Sequence, residues 1–218
     1  MSLLVLCWAF AATMITAPSS EEILARVADT NARRHVIAYS GIREYRLINV
    51  RFAKEATVVA RMIHRPGEGK HFTVLKRSGS AALTEIVERL LVSEADASVA
   101  AKRGDHEISS ANYRSYVRGI EIIAGRACYA IHLMPKRKSR YLIEGTLWVD
   151  PATYGVVRLQ GSPSGSVSMW LSKPYVTQEF SDIGGWWLPS RTRSFSSGRL
   201  LGTSELEIRY TDYQINGL

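Results

Sequence analysis

Five histidines, two cysteines and a scatter of carboxylates are the groups through which this 218-residue chain could do chemistry. His35, His64, His71, His106 and His132 stand apart from one another and show no metal-ligand spacing. No carboxylate pair at acid–base spacing stands out, and the HExxH, Walker, GxGxxG and GxSxG signatures are absent. Gly161-Ser162-Pro163-Ser164-Gly165 comes nearest to the last of these, but proline occupies its centre. A nucleophile, a base and an oxyanion donor therefore cannot be nominated together, and neither a catalytic site, a metal nor a cofactor is expected. Cys128, between Ala127 and Tyr129 in a strand-like segment, reads as a small core residue rather than a reactive thiol. Once an apolar leader containing Cys7 is removed, it is the one remaining cysteine, so the core and not a disulfide must hold the fold.

The clearest charged cluster is Lys136-Arg137-Lys138-Ser139-Arg140, directly after Pro135. Its plain reading is a solvated hairpin loop. Its functional reading is an anion-contact loop, in which Lys136, Arg137, Lys138 and Arg140 touch lipid head groups at a membrane surface or an acidic envelope protein. The formal charge of +8 favours anionic partners in general. Nucleic acid is not expected, because no aromatic platform is interleaved with the basic residues and an exported chain would rarely meet it.

Export is suggested by Leu3–Ala17, an uncharged apolar stretch of signal-peptide length and short for a spanning helix of roughly 20 residues. Residues 1–20 are read as a signal peptide or leader, and the periplasm of a bacterial envelope as the destination. An uncleaved leader that anchors the chain, and a cytosolic chain, are the alternatives. No Lys or Arg precedes the stretch, Pro18 suits a cut at Ala17 poorly, and Leu6 argues against a lipoprotein box at Cys7.

The elements that would position these groups follow from periodicity. Glu21–Arg34 is expected to be a helix, with Ser19 or Ser20 as its cap and Ile23, Leu24, Val27 and Ala28 on one face. Strands follow at about Ile37–Val50, Ala53–His64 and His71–Lys76. A second amphipathic helix spans about Ala81–Lys102, with Leu83, Ile86, Val87, Leu90 and Leu91 at three- and four-residue spacing. From Asn112 on, strand segments recur: Ala127–Met134, Glu144–Asp150, Tyr154–Gln160, Ser166–Lys173, Trp187–Phe195 and Thr203–Tyr213.

Leu206, Ile208 and Tyr210 alternate with Glu205, Glu207 and Arg209, giving one dry and one wet face. The matching dry sets are Ile131 with Leu133, Val157 with Leu159, and Val167, Met169 and Leu171. They would pack against the helices or line an acyl-chain cavity. About ten antiparallel strands in one domain, residues 21–218, must curl or close. The expectation is an α+β fold, mainly antiparallel β: a half-open, incomplete β-barrel covered by two helical segments.

The stretch Tyr116–Pro135, with its Gly125-Arg126 turn, resembles the central hairpin of the LolA-like superfamily. Gly145-Thr-Leu-Trp-Val-Asp150 and the turn Pro151-Ala-Thr-Tyr-Gly155 resemble the strand and turn that follow it in that family. The resemblance covers nearly the whole chain after the leader. It implies an incomplete barrel whose apolar concave face is lidded by helices. It also implies a non-catalytic role in carrying lipoproteins across the periplasm, receiving them at the outer membrane, or sensing lipid-like ligands. Carrier members depend on an arginine near the start of the sheet; Arg43 and Arg46 lie in that region, and no motif matches either to it. The resulting expectation is a binding protein for lipid acyl chains or lipoproteins. The rival is an envelope regulatory or scaffold module that holds a protein partner on its sheet exterior and basic loop.

Overall fold

The computed structural model describes residues 18–99, 104–166, 173–198 and 202–216. Helix α1 (Ser20–Arg34) starts where the sequence places a cap. The Ser19 amide donates to Glu22 Oε2 at 2.7 Å and the Glu22 amide to Ser19 Oγ at 3.2 Å, a reciprocal box that satisfies two otherwise orphaned donors. Strands β1 (Ala38–Asn49), β2 (Lys54–Arg65) and β3 (Gly69–Gly79) form a meander, and α2 (Ala81–Ser98) follows. The chain then runs through β4 (Tyr113–Ile123), β5 (Arg126–Pro135), β6 (Ile143–Val149), β7 (Val156–Pro163), β8 (Tyr175–Ile183), β9 (Trp186–Gly198) and β10 (Gly202–Asn216).

All ten strands join one antiparallel sheet in the order β3-β2-β1-β10-β9-β8-β7-β6-β5-β4. Every neighbour is a sequence neighbour except β1 and β10, which zip the N-terminal meander onto the C-terminal one. The edges β3 and β4 do not pair, so the sheet stays open, as the expected half-barrel requires. Helix α2 and the segment after it connect these two edges.

The two helices cover different parts of one face. Ile23, Leu24 and Val27 of α1 are fully buried against Tyr113, Ile131, Leu133, Leu147, Val149 and Val156. Complete burial of each aliphatic side chain contributes about 1.5–3 kcal/mol. The ends of α1 are pinned as well: Ser20 Oγ donates to the Ser115 carbonyl at 2.9 Å, and Arg34 donates to the Trp187 carbonyl at 3.3 Å. Leu83, Val87 and Leu91 of α2 pack on Tyr45, Leu47, Ala56, Val58, Ala60, Ile208 and Tyr210. The last turn of α2 is fixed to β3, where the Lys70 amide donates to Ser98 Oγ at 2.7 Å. A Cβ on Gly69 would collide with Ser98, and φ there is +92°, so glycine is the residue that lets this helix end approach.

Several boundaries depart from the sequence reading. Helix α2 ends at Ser98 rather than at Lys102, which lies outside the described residues. The strand expected at Ser166–Lys173 falls almost wholly on residues outside the described ones, Val167, Met169 and Leu171 included. Strand β8, absent from the reading, is seated between β7 and β9. Its residues are half-buried or exposed along its whole length, and it carries Thr177, Gln178, Glu179, Ser181 and Asp182, so it shows no dry face to read.

Candidate ligand-binding cavity

Where the two helices end, they leave a gap over the middle of the sheet. Asn31, Arg34 and His35 from the end of α1 face Glu94, Ala97 and Ser98 from the end of α2 across a cavity of about 620 Å³. Its floor comes from strands of both halves of the sheet, including Tyr39 and Arg43 of β1, His64 of β2, Leu159 of β7 and Phe180 of β8. Ile108, Tyr113 and Tyr141 close it from the side of the β4–β6 half. The volume lies within the roughly 300–1,000 Å³ typical of small-molecule pockets.

One wall is apolar and the other is charged. Arg43 is 2% exposed and donates from Nη1 to Glu94 Oε2 at 2.7 Å, while Lys70 Nζ donates to Glu94 Oε1 at 2.7 Å. The guanidinium lies between aromatic faces, 5.0 Å from the Phe72 ring and 4.9 Å from that of Tyr210. Register explains the room it finds, because Arg43 pairs with Ala60 on one side and Tyr210 on the other. Burial pushes the Glu94 carboxyl up, but Arg43 and Lys70 outweigh it and hold the group at about 2. Burial likewise opposes the charge on Arg43, and Glu94 more than restores it. Arg46 points elsewhere; it is exposed and paired with Glu55 at 2.6 Å. The structure thus separates two arginines that sequence left equivalent.

The cavity also gathers three of the scattered histidines. His64 Nδ1 lies 3.0 Å from the Ile37 carbonyl, its ring stacks on Tyr39 at 4.8 Å, and His35 is 6.0 Å from it. His106 Nε2 lies 2.9 Å from the Ala97 carbonyl. Among the described residues no three histidines, cysteines or carboxylates come together as a metal site. Nothing in the spacing of these residues announces their meeting, since they come from a helix end, a strand and a loop.

The apolar residues named from alternation have different places. Ile131, Leu133 and Leu159 belong to the cluster beneath α1, while Leu206, Ile208 and Tyr210 belong to the one beneath α2. Of these six, Leu159 lines the cavity and Tyr210 meets it through Arg43; the others are covered by the helices. Val157 is a correction. A bulge between Trp148 and Val149 on one strand and Val156 and Arg158 on the other makes Val157 the extra residue, so it packs with Cys128, Ala130 and Trp148 on the other face. Cys128 is buried in that cluster, and burial pushes its thiol up, as a core cysteine requires.

The basic loop is largely occupied by its own neighbours. Arg137 donates to Asn112 Oδ1 at 2.6 Å and to the Asp105 carbonyl, and Lys136 donates to the Ser110 carbonyl at 2.6 Å. Arg140 lies over the Tyr141 ring. Lys138 is exposed and, with Arg137 and Arg140, borders an open groove of about 610 Å³ against Arg89, Val92 and Asp96 of α2. Two of the four cations therefore tie the β5–β6 loop to the segment that precedes β4.

No family model matches this sequence, and no curated protein matches it. Several solved structures match it at low identity. A putative outer membrane lipoprotein-sorting protein domain from Vibrio parahaemolyticus is 13% identical, with a TM-score of 0.49 over 89% of this chain and 93% of that one. LolA superfamily protein NE2245 from Nitrosomonas europaea is 14% identical, with a TM-score of 0.49 over 93% of this chain and 96% of that one. The MucA/MucB complex of Pseudomonas aeruginosa matches more distantly, at 11% identity and a TM-score of 0.28 over 87% and 92%.

Proposed function

We propose that this protein is an exported, non-catalytic carrier or binding protein for lipid acyl chains, with lipoproteins among its cargo. The observation that carries this reading is the 620 Å³ cavity between the helix ends and the open sheet, floored in part by Leu159, Phe180 and Val156. Apolar transfer supplies the affinity, at about 0.8 kcal/mol per buried methylene. A cargo with several chains needs more room than the cavity offers, so α1 or α2 would lift from the sheet and give up its own buried face to the ligand. That competition keeps the net affinity modest, as a carrier needs. Among the described residues no helix is long and apolar enough to cross a membrane.

Native mass spectrometry with lipid extraction, on protein purified gently from a periplasm, tests the reading. An acylated species bound to the protein is the expected result. A mass that remains that of the bare chain after addition of lipids would overturn it. The scaffold reading is favoured by one observation: among the described residues β4 is a sheet edge with no outer neighbour, and its Tyr116, Ile120 and Ile122 are exposed. A stoichiometric protein partner pulled from envelope extracts, with no lipid released, would move the assignment there.

A further inference from the structure

The charged wall of the cavity is not neutral. Arg43 and Lys70 share a single carboxylate, Glu94, one oxygen each. That leaves one positive charge in excess where Arg43 is almost completely shielded from water. The Nε of Arg43 is buried and has no hydrogen-bond partner among the described residues. A buried cation with an idle donor is costly unless an anion or a polar group completes it. Arg34, at the opposite wall, also carries a buried Nε with no partner among the described residues. Phe180, Val156 and Leu159 supply the adjoining apolar surface.

Size limits what can bring that anion in. With roughly 30 Å³ for each methylene-sized group, close to the share of a liquid water molecule, 620 Å³ holds about twenty such groups. That is one long chain with its head, and not the several chains of a lipoprotein anchor. Resting on the acyl-chain reading above, we propose that the cavity as observed takes a single-chain anionic amphiphile. Its anionic head, a fatty carboxylate or an alkyl phosphate, docks on the partly exposed Lys70 where Arg43 lines the cavity, and its tail runs along Phe180 and Leu159. The planar guanidinium suits either head, and the excess of one charge matches the single charge of a carboxylate. The head completes the charge that Glu94 leaves unbalanced, and the tail covers the apolar wall.

Titration calorimetry of the full chain with laurate, dodecyl phosphate and dodecanol tests this, the chain length being constant and the head varying. Laurate or dodecyl phosphate is expected to bind at least tenfold more tightly than dodecanol, and the tighter of the two identifies the head as carboxylate or phosphate. Lys70→Gln and Arg43→Gln should each weaken the anionic ligands about tenfold and leave dodecanol unchanged. Because Arg43 is a core residue, Lys70→Gln, on a partly exposed side chain, is the variant that stands if Arg43→Gln does not fold. Equal binding of all three ligands would overturn the headgroup site while leaving acyl binding intact. Binding of none would overturn both.

Discussion

Replacing Glu94 by Gln isolates the charge arrangement at the centre of the cavity. The substitution preserves shape and hydrogen-bonding capacity but removes the one carboxylate that Arg43 and Lys70 share. Arg43 then carries its charge at 2% exposure with no anion beside it. Losing one partner of a buried pair costs about 3–5 kcal/mol when both are fully buried. The drop of the Glu94 carboxyl from 4.5 to about 2 points to a similar size, about 3 kcal/mol at 1.36 kcal/mol per pH unit. Glu94 is 32% exposed, so water screens part of the attraction and about 2 kcal/mol is the expected loss at neutral pH.

The sign of the pH dependence is a second readout. A carboxyl held below its unfolded value contributes stability above pH 4.5, and this contribution is lost as the pH falls towards 2. Urea unfolding of the protein and of Glu94→Gln at pH 7, 5, 4 and 3 should show two curves that converge as the solution becomes acid. Asp150 and Glu207, also held low, lend a slope to both proteins and cancel in the difference. A loss below about 0.5 kcal/mol at pH 7, or a gap that does not narrow on acidification, would refute the view of Glu94 as the anion on which Arg43 depends.

Other positions give independent checks. Leu24→Ala removes a fully buried side chain from the core under α1 and should cost about 2–5 kcal/mol in urea unfolding, with a value under 1 indicating that α1 is not seated on the sheet. Asp150 is 3% exposed and accepts from the Ala152 and Thr153 amides, the Thr153 hydroxyl and Arg126. Asp150→Ala leaves those donors unmet and should cost about 2–3 kcal/mol, and equal thermal midpoints for the two proteins would disprove that role.

The local patterns are legible in the sequence. The cap at Ser19 and Glu22, the apolar stripe Ile23-Leu24-Val27, the stripe Leu83-Val87-Leu91 and the alternation through Leu206, Ile208 and Tyr210 each reflect a period set by backbone geometry, so the chain itself announces two helices and a largely one-sided sheet. Strand β8 escaped because its stability lies in main-chain pairing to β7 and β9, which leaves no side-chain period. Alternation alone puts Val157 on the face of Leu159, but a bulge inserts one residue there and turns Val157 to the other face. The cavity belongs to tertiary structure alone. Arg43, Lys70 and Glu94 stand on β1, β3 and α2, and only the meander's register and the docking of the helix end bring both cations to 2.7 Å from the one carboxylate. Sequence periodicity records which face of an element is dry, whereas the meeting of three charges depends on how separate elements cross, and no local pattern encodes that.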